Sequence, residues 1–123
     1  MHHNYYKTLF ESTARAVAQA YSITVEDPYA KAVHIIINVT SVTATPSVVP
    51  TIDGYDFTSG AWYNILTGNA ITATGTTVLK ISPEITASAN ASAKDILPRE
   101  WRLQMTHADT DSITYSVGAN IRA

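Results

Sequence analysis

Within "MTHADTDSITYSVGA", residues 105–119, a histidine, two aspartates and a serine fall inside six consecutive positions, His107 to Ser112. Imidazole and carboxylates together can hold a cation, and serine, histidine and aspartate together can form a nucleophilic relay. The surrounding residues support neither chemistry. A calcium loop needs further oxygen ligands at fixed positions and a bidentate glutamate, and no glutamate follows Asp111. A zinc site needs ligands converging from elsewhere, for which His34 is a thin supply. A serine nucleophile needs a strained turn, and no nucleophile-elbow glycine pattern surrounds Ser112. The simpler reading is a turn. If the segments before and after "ADTDS" are adjacent strands, this is a loop of hairpin length in which Asp109 and Asp111 accept hydrogen bonds from nearby backbone N–H groups.

Other chemistries leave equally little trace. With ten acidic residues in the chain, pairs such as Glu26 with Asp27 or Asp53 with Asp56 arise without selection for acid–base work. The five glycines lie scattered at 54, 60, 68, 75 and 118, which suits turns and bulges and makes no phosphate cradle. Cysteine is absent, so disulfides, thiolate metal sites and a cysteine nucleophile are excluded. A net charge of −2 with 15% charged residues provides no basic field for nucleic acid. No stretch approaches the roughly 18 apolar residues of a membrane span, and the N-terminus around Lys7 lacks a signal-peptide core. The expectation is a protein made in the cytosol, with no catalytic residue, metal or cofactor, and with neither nucleic acid nor membrane as partner. The Asn38-Val39-Thr40 and Asn90-Ala91-Ser92 triplets would matter only on a secreted chain. The opening "MHH" is too short to identify as a tag.

At 123 residues the chain is most simply one domain, able to bury roughly two-thirds of its unfolded surface. Thr, Ala and Ser are abundant while Lys, Glu and Leu are scarce, which disfavours charged surface helices; Thr with Val, Ile and Tyr suits pleated strands. Period-two alternation agrees. Val33, Ile35, Ile37 and Val39 share one face of "AVHIIINVTSVT". Trp101, Leu103, Met105 and His107 share one face of "REWRLQMTH", and Ile113, Tyr115, Val117, Ala119 and Ile121 one face of "SITYSVGANI". Weaker strands are "SVVPTIDGYD", where Pro50 argues for an edge or bulge, "AWYNILT" and "TTVLKI". "TATPS", "DFTSG" and "GNAITATG" carry the turn residues that join them. Residues 83–98, bounded by Pro83 and Pro98, read as a long loop with room for a helical turn around Ser88 to Lys94.

The N-terminal region admits two readings. Phe10, Ala14, Val17 and Tyr21 fit a helical stripe, whereas Tyr21, Ile23 and Val25 alternate as a strand. Residues 1–12 read as an arm whose Tyr5, Tyr6, Leu9 and Phe10 have little nearby to pack against, and exposed apolar residues of this kind mark a candidate protein interface. Arg99 and Arg102 flank Trp101 and are further interface candidates, with an intrachain strand-end contact as the alternative. Trp62 and Tyr63 follow a turn, so one ring should point inward and one outward.

Five stretches together resemble a family of small virion structural proteins of tailed bacteriophages and prophages: "VTATPSV" at 42–48, the Gly54 to Gly60 spacing, "TGTTVL" at 74–79, "LPREWR" at 97–102 and "THADTDSITYSVGA" at 106–119. The resemblance spans about residues 30–121 and favours strands from about Thr13 onward. It implies a non-enzymatic virion component, made in the host bacterial cytoplasm and located in the particle. The implied role is a capsid decoration or cement protein bound to the major capsid protein or other virion proteins, present as a homo-oligomer or in many symmetric copies. A neck or tail accessory subunit is the alternative, as is a carbohydrate-binding module acting through Trp62, Tyr63 or Tyr55. The fold expected is an all-β antiparallel sandwich of about seven or eight strands over residues 13–123, with a jelly roll among the topologies open to it.

Overall fold

The structure, a computed structural model, describes residues 4–123. Nine strands account for its regular structure: β1 (Tyr5–Arg15), β2 (Ala20–Glu26), β3 (Ala32–Val42), β4 (Val48–Asp56), β5 (Ala61–Thr67), β6 (Gly75–Ile81), β7 (Ser92–Ala93), β8 (Glu100–His107) and β9 (Ile113–Arg122). They form two sheets, one in the order β1-β9-β3-β6-β7 and one in the order β2-β8-β4-β5. All pairings are antiparallel except the short parallel contact of β6 with β7. The pairs β1–β9, β2–β8, β3–β6 and β4–β5 are those of one long hairpin. Rolling that hairpin up brings β3 against β9 and β4 against β8, which is the winding of a jelly roll.

Alternation along the strands places the core. Val33, Ile35, Ile37 and Val39 are buried, as are Trp101, Leu103, Met105 and His107 and the whole series Ile113, Tyr115, Val117, Ala119 and Ile121. These faces meet between the sheets with Ile52, Leu79 and Ile81, so the period-two reading of these strands holds. Turn chemistry also holds. In the β4–β5 hairpin the Asp56 carboxylate accepts from Thr58 N at 3.0 Å and from Ser59 Oγ at 2.7 Å. Gly60 N donates to Asp56 O, and Gly60 adopts φ 73°, a left-handed conformation that costs glycine little.

Three expectations need correction. From Tyr5 onward the expected arm is not separate: residues 5–15 form β1, paired to β9 from Tyr5↔Ile121 to Arg15↔Ile113, and Leu9 is only 6% exposed. Residues 1–3 of that arm lie outside the described residues. Pro50 lies not on an edge strand but on β4, flanked by β8 and β5. It is tolerated because its carbonyl accepts from Gly68 N, so its nitrogen faces the same side, just past the point where the β5 ladder ends at Thr51↔Thr67. Finally, residues 83–98 run as the long loop expected, except that the short strand β7 interrupts it and the turn before β7 is not helical. A tight turn closed by Ser92 N donating to Ser88 O, with Asn90 at φ 63°, leads into β7, which lies beside Lys80 and Ile81.

Candidate functional site

The His107–Ser112 cluster is not the hairpin expected of it: β8 and β9 do not pair but belong to opposite sheets, and residues 108–112 are the loop that carries the chain from one sheet to the other. Asp109 Oδ1 accepts from Asp111 N at 3.0 Å, and Asp111 Oδ2 accepts from Thr45 N at 3.1 Å and Thr45 Oγ1 at 3.3 Å. The carboxylates thus brace their own loop and tie it to the β3–β4 connection. Among the described residues no three His, Cys, Asp or Glu side chains gather in a way that could hold a metal ion.

His107 points the other way, into the sandwich, where its Nε2 lies 2.9 Å from the Tyr115 hydroxyl in a buried hydrogen bond. Tyr21 meets the imidazole edge-on at 5.1 Å. Beside them sits Arg15, whose guanidinium lies 4.4 Å from the Tyr115 ring centre, 5.3 Å from that of Phe10 and 5.6 Å from that of Tyr21. Its N–H groups donate to the carbonyls of Glu11, Thr13 and Tyr115. Burial, reinforced by Arg15 and opposed by Asp109, lowers the His107 pKa, while burial raises that of the Tyr115 phenol. The cluster closes the edge where the chain passes from β1 in one sheet to β2 in the other. Sequence reasoning missed Arg15 as its hub; the available signal was that it is the only basic residue between Lys7 and Lys31.

A second grouping covers the outer face of the four-stranded sheet. Arg102 Nε donates to Asp53 Oδ2 at 2.9 Å, and Asn64 Nδ2 donates to Asp53 Oδ1 at 3.3 Å. Cross-strand register puts Arg102 and Asn64 on either side of Asp53. The Arg102 guanidinium also lies 4.5 Å from the Trp62 ring centre. Trp62 in turn leans on Tyr55 at 4.9 Å, and Tyr55 meets Phe57 edge-on at 4.9 Å, leaving Phe57 61% exposed. Tyr63 takes the opposite face, as alternation requires: a Cβ on Gly54 would come within 2.6 Å of its ring and hydroxyl.

The six interface candidates are therefore dispersed. Tyr5 and Tyr6 are at the start of β1, with Tyr6 79% exposed; Leu9 is buried, and Phe10 packs under Arg15. Tyr5 and Tyr6 help line a groove of about 730 Å³ at one end of the five-stranded sheet, together with His34, Glu84, Ile121 and Arg122. Glu84 and Arg122 approach to 3.7 Å there. Arg99 and Arg102 belong to the other sheet and are engaged within the chain, Arg99 with Glu26 at 3.1 Å and Arg102 with Asp53.

No protein-family model matches the chain, and no curated protein matches it. Among solved structures, a chain from the structure of infectious bursal disease virus, Gx strain, superposes with a TM-score of 0.54 at 10% identity, covering 100% of this protein and 34% of that chain. A chain from the Gt strain of the same virus is also similar, with a TM-score of 0.37 at 11% identity, over 99% of this protein and 31% of that chain. This protein thus spans about a third of the length of the viral chains it matches. At such identity the likeness is one of fold: a jelly roll that, over the full length of this protein, has a counterpart in a virus structure.

Proposed function

We propose that this protein is a non-enzymatic structural subunit of a virion, and more narrowly a decoration or cement protein on the head of a tailed bacteriophage. The observation that carries the reading is the whole-chain fold likeness to a chain from a virus structure. Jelly rolls recur in viral capsids, and the low charge and small-residue surface suit a protein that adds surface to an assembly. Because a fold hosts many functions, the fold analogy sets a class of role and leaves the position in the particle to experiment. In the cement reading, many symmetric copies bridge neighbouring capsomers, so that individually weak contacts resist separation through multivalency.

Co-sedimentation with isolated heads and, separately, isolated tails tests this. Retention on heads is expected; retention on tails or necks alone would overturn the cement role in favour of an accessory subunit. Truncating residues 1–10 cannot serve as the probe, because it removes half of β1 and buried Leu9. Tyr6→Ala, at a 79% exposed position, leaves the core untouched and is expected to weaken head binding at least threefold. Unchanged binding would remove the β1 start from the interface.

One observation favours a second reading. The Phe57-Tyr55-Trp62 series, exposed at Phe57 and half-buried at Tyr55 and Trp62, lies beside Arg102, Asp53 and Asn64 and offers rings next to hydrogen-bonding groups, the combination by which proteins hold sugars. A glycan array answers it directly: signal lost on Phe57→Ala and Trp62→Ala would establish a carbohydrate-binding module, and silence across sugars would discard it.

A further inference from the structure

Every open sheet has edges, and three of the four here carry a device that discourages pairing. β1 has two bulges, between Thr8 and Phe10 and between Phe10 and Thr13. It also carries a lysine, Lys7, exposed on the edge opposite Ala119. β6 is covered at its C-terminal end, where β7 pairs with Lys80 and Ile81. β5 has a register shift opposite Ile52 and Asp53, and the carbonyl of Thr67 at its end accepts from Asn90 Nδ2 at 2.9 Å. β2 has none of these. It runs in unbroken register against β8 from Ala20↔Thr106 to Glu26↔Glu100, with no proline, no bulge and no charge before Glu26.

The hydrogen-bond phase of β2 fixes what its open edge presents. Gln19 O accepts from His107 N and Asp27 N donates to Arg99 O, so the odd-numbered residues point their backbone groups at β8. The N–H and C=O groups of Ala20, Ser22, Thr24 and Glu26 point away from the sheet. Tyr21 and Ile23, whose side chains face the core, are only half-buried because no strand among the described residues pairs with β2 on this side; Arg15 reaches the Tyr21 ring from β1.

We infer that β2 pairs antiparallel with β2 of a second copy, across a two-fold axis at Ile23, joining the two four-stranded sheets into one. The sequence Ala20-Tyr21-Ser22-Ile23-Thr24-Val25-Glu26 is self-complementary in this register. Ser22 opposes Thr24 of the other copy, hydroxyl to hydroxyl on the outer face, and Glu26 opposes Ala20, so no like charges meet. On the inner face Ile23 meets Ile23 and Tyr21 meets Val25, which covers the half-buried pair. All four outward residues fall at hydrogen-bonded positions, giving about eight interchain backbone bonds. A C2 interface of this kind brings the same residues together from both subunits. The inference does not depend on the virion reading.

Sedimentation equilibrium from ~5 to ~500 μM tests it. The expected result is a reversible dimer of twice the 13.3 kDa chain mass. Thr24→Pro removes only an N–H that points away from β8, a position where edge strands accept proline, and is expected to weaken dimerisation at least tenfold with the fold retained by circular dichroism. As a second probe, the chain has no cysteine, so Ile23→Cys is expected to form a disulfide-linked dimer under mild oxidant far faster than Ala61→Cys on the β5 edge. A wild-type monomer throughout the range would overturn the inference. So would a dimer unaffected by Thr24→Pro, or equal cross-linking rates at the two cysteines.

Discussion

Removing either partner of the Asp53–Arg102 pair should destabilise the protein, and by unequal amounts. The Asp53 side chain is 8% exposed and that of Arg102 24%. Breaking a fully buried pair costs about 3–5 kcal/mol, most of it from the charge left behind. Arg102→Ala strands the more deeply buried carboxylate with only Asn64 still donating, and it strips the guanidinium from Trp62, worth about 1 kcal/mol more. About 4 kcal/mol is the expected cost. Asp53→Ala strands a guanidinium that is a quarter exposed and can turn toward water, so about 2 kcal/mol is expected. For a chain of this length 1 kcal/mol moves Tm by about 4 °C, so the drops should be about 16 °C and about 8 °C. The double variant leaves neither charge stranded and should cost about 3–4 kcal/mol, short of the additive sum by about 2 kcal/mol or more. Urea unfolding of the four proteins measures this cycle. Additivity within about 0.5 kcal/mol, or Asp53→Ala costing more than Arg102→Ala, would refute the reasoning.

The remaining predictions concern titration and close packing. His107 has its folded pKa lowered by burial, so between that value and the ordinary 6.5 the unfolded chain binds a proton that the folded one refuses. Stability should therefore be fully present above about pH 6.5, decline as pH falls below it and level off beneath the folded pKa. Urea midpoints at pH 7.5 and 5.0 should differ more for the wild type than for His107→Gln, and equal differences would remove the histidine from the account. Gly68 and Gly118 should respond oppositely to alanine. A Cβ on Gly68 would stand 2.7 Å from Pro50 Cγ and 3.2 Å from Leu79 Cδ2, whereas one on Gly118 meets only Lys7 O at 3.9 Å. Gly68→Ala is expected to cost about 1–3 kcal/mol by overpacking, and Gly118→Ala to gain up to about 1 kcal/mol by restricting the unfolded chain, both read by calorimetry.

The strands that read clearly in the sequence are those whose register has few interruptions. β3 and β8 alternate cleanly, and their inward residues are the core. β1 is hard to read because its two bulges move the inward register from the odd positions Tyr5 and Lys7 to Phe10 and then back to Thr13 and Arg15, so neither a strand nor a helix period runs through it. Pro50 misled because proline reports only the missing donor; which side that donor would have faced depends on where β5 ends. Trp101-flanking Arg102 was visible as a candidate, but its partner Asp53 lies 49 residues away, and pairing at that distance is decided by the rolled-up topology. Arg15 poses the same problem at 100 residues from Tyr115.

The two outer faces that the jelly roll leaves behind are chemically unlike, and this separates the functional readings. On the five-stranded sheet the cross-strand row Tyr6, Asn120, His34 and Lys80 is polar but for one ring, and Gly118 between Thr8 and Ile36 leaves the centre of the face low. A partner surface can lie against the low centre of such a face and reach the groove at its end beside Tyr6 and His34. On the four-stranded sheet the rings of Tyr55, Trp62 and Phe57 stand above a charged base. Because Arg102 both neutralises Asp53 and stacks on Trp62, a Trp62 substitution alters the fold as well as any binding surface. Phe57 takes no part in the ion pair and meets the Tyr55 ring in a T-shaped contact, so its removal changes the surface while leaving the ion pair intact. A loss of binding at Phe57 with unchanged Tm therefore speaks for a ligand on this face, whereas a loss at Trp62 alone, accompanied by a lower Tm, speaks only for the Asp53–Arg102 support beneath it.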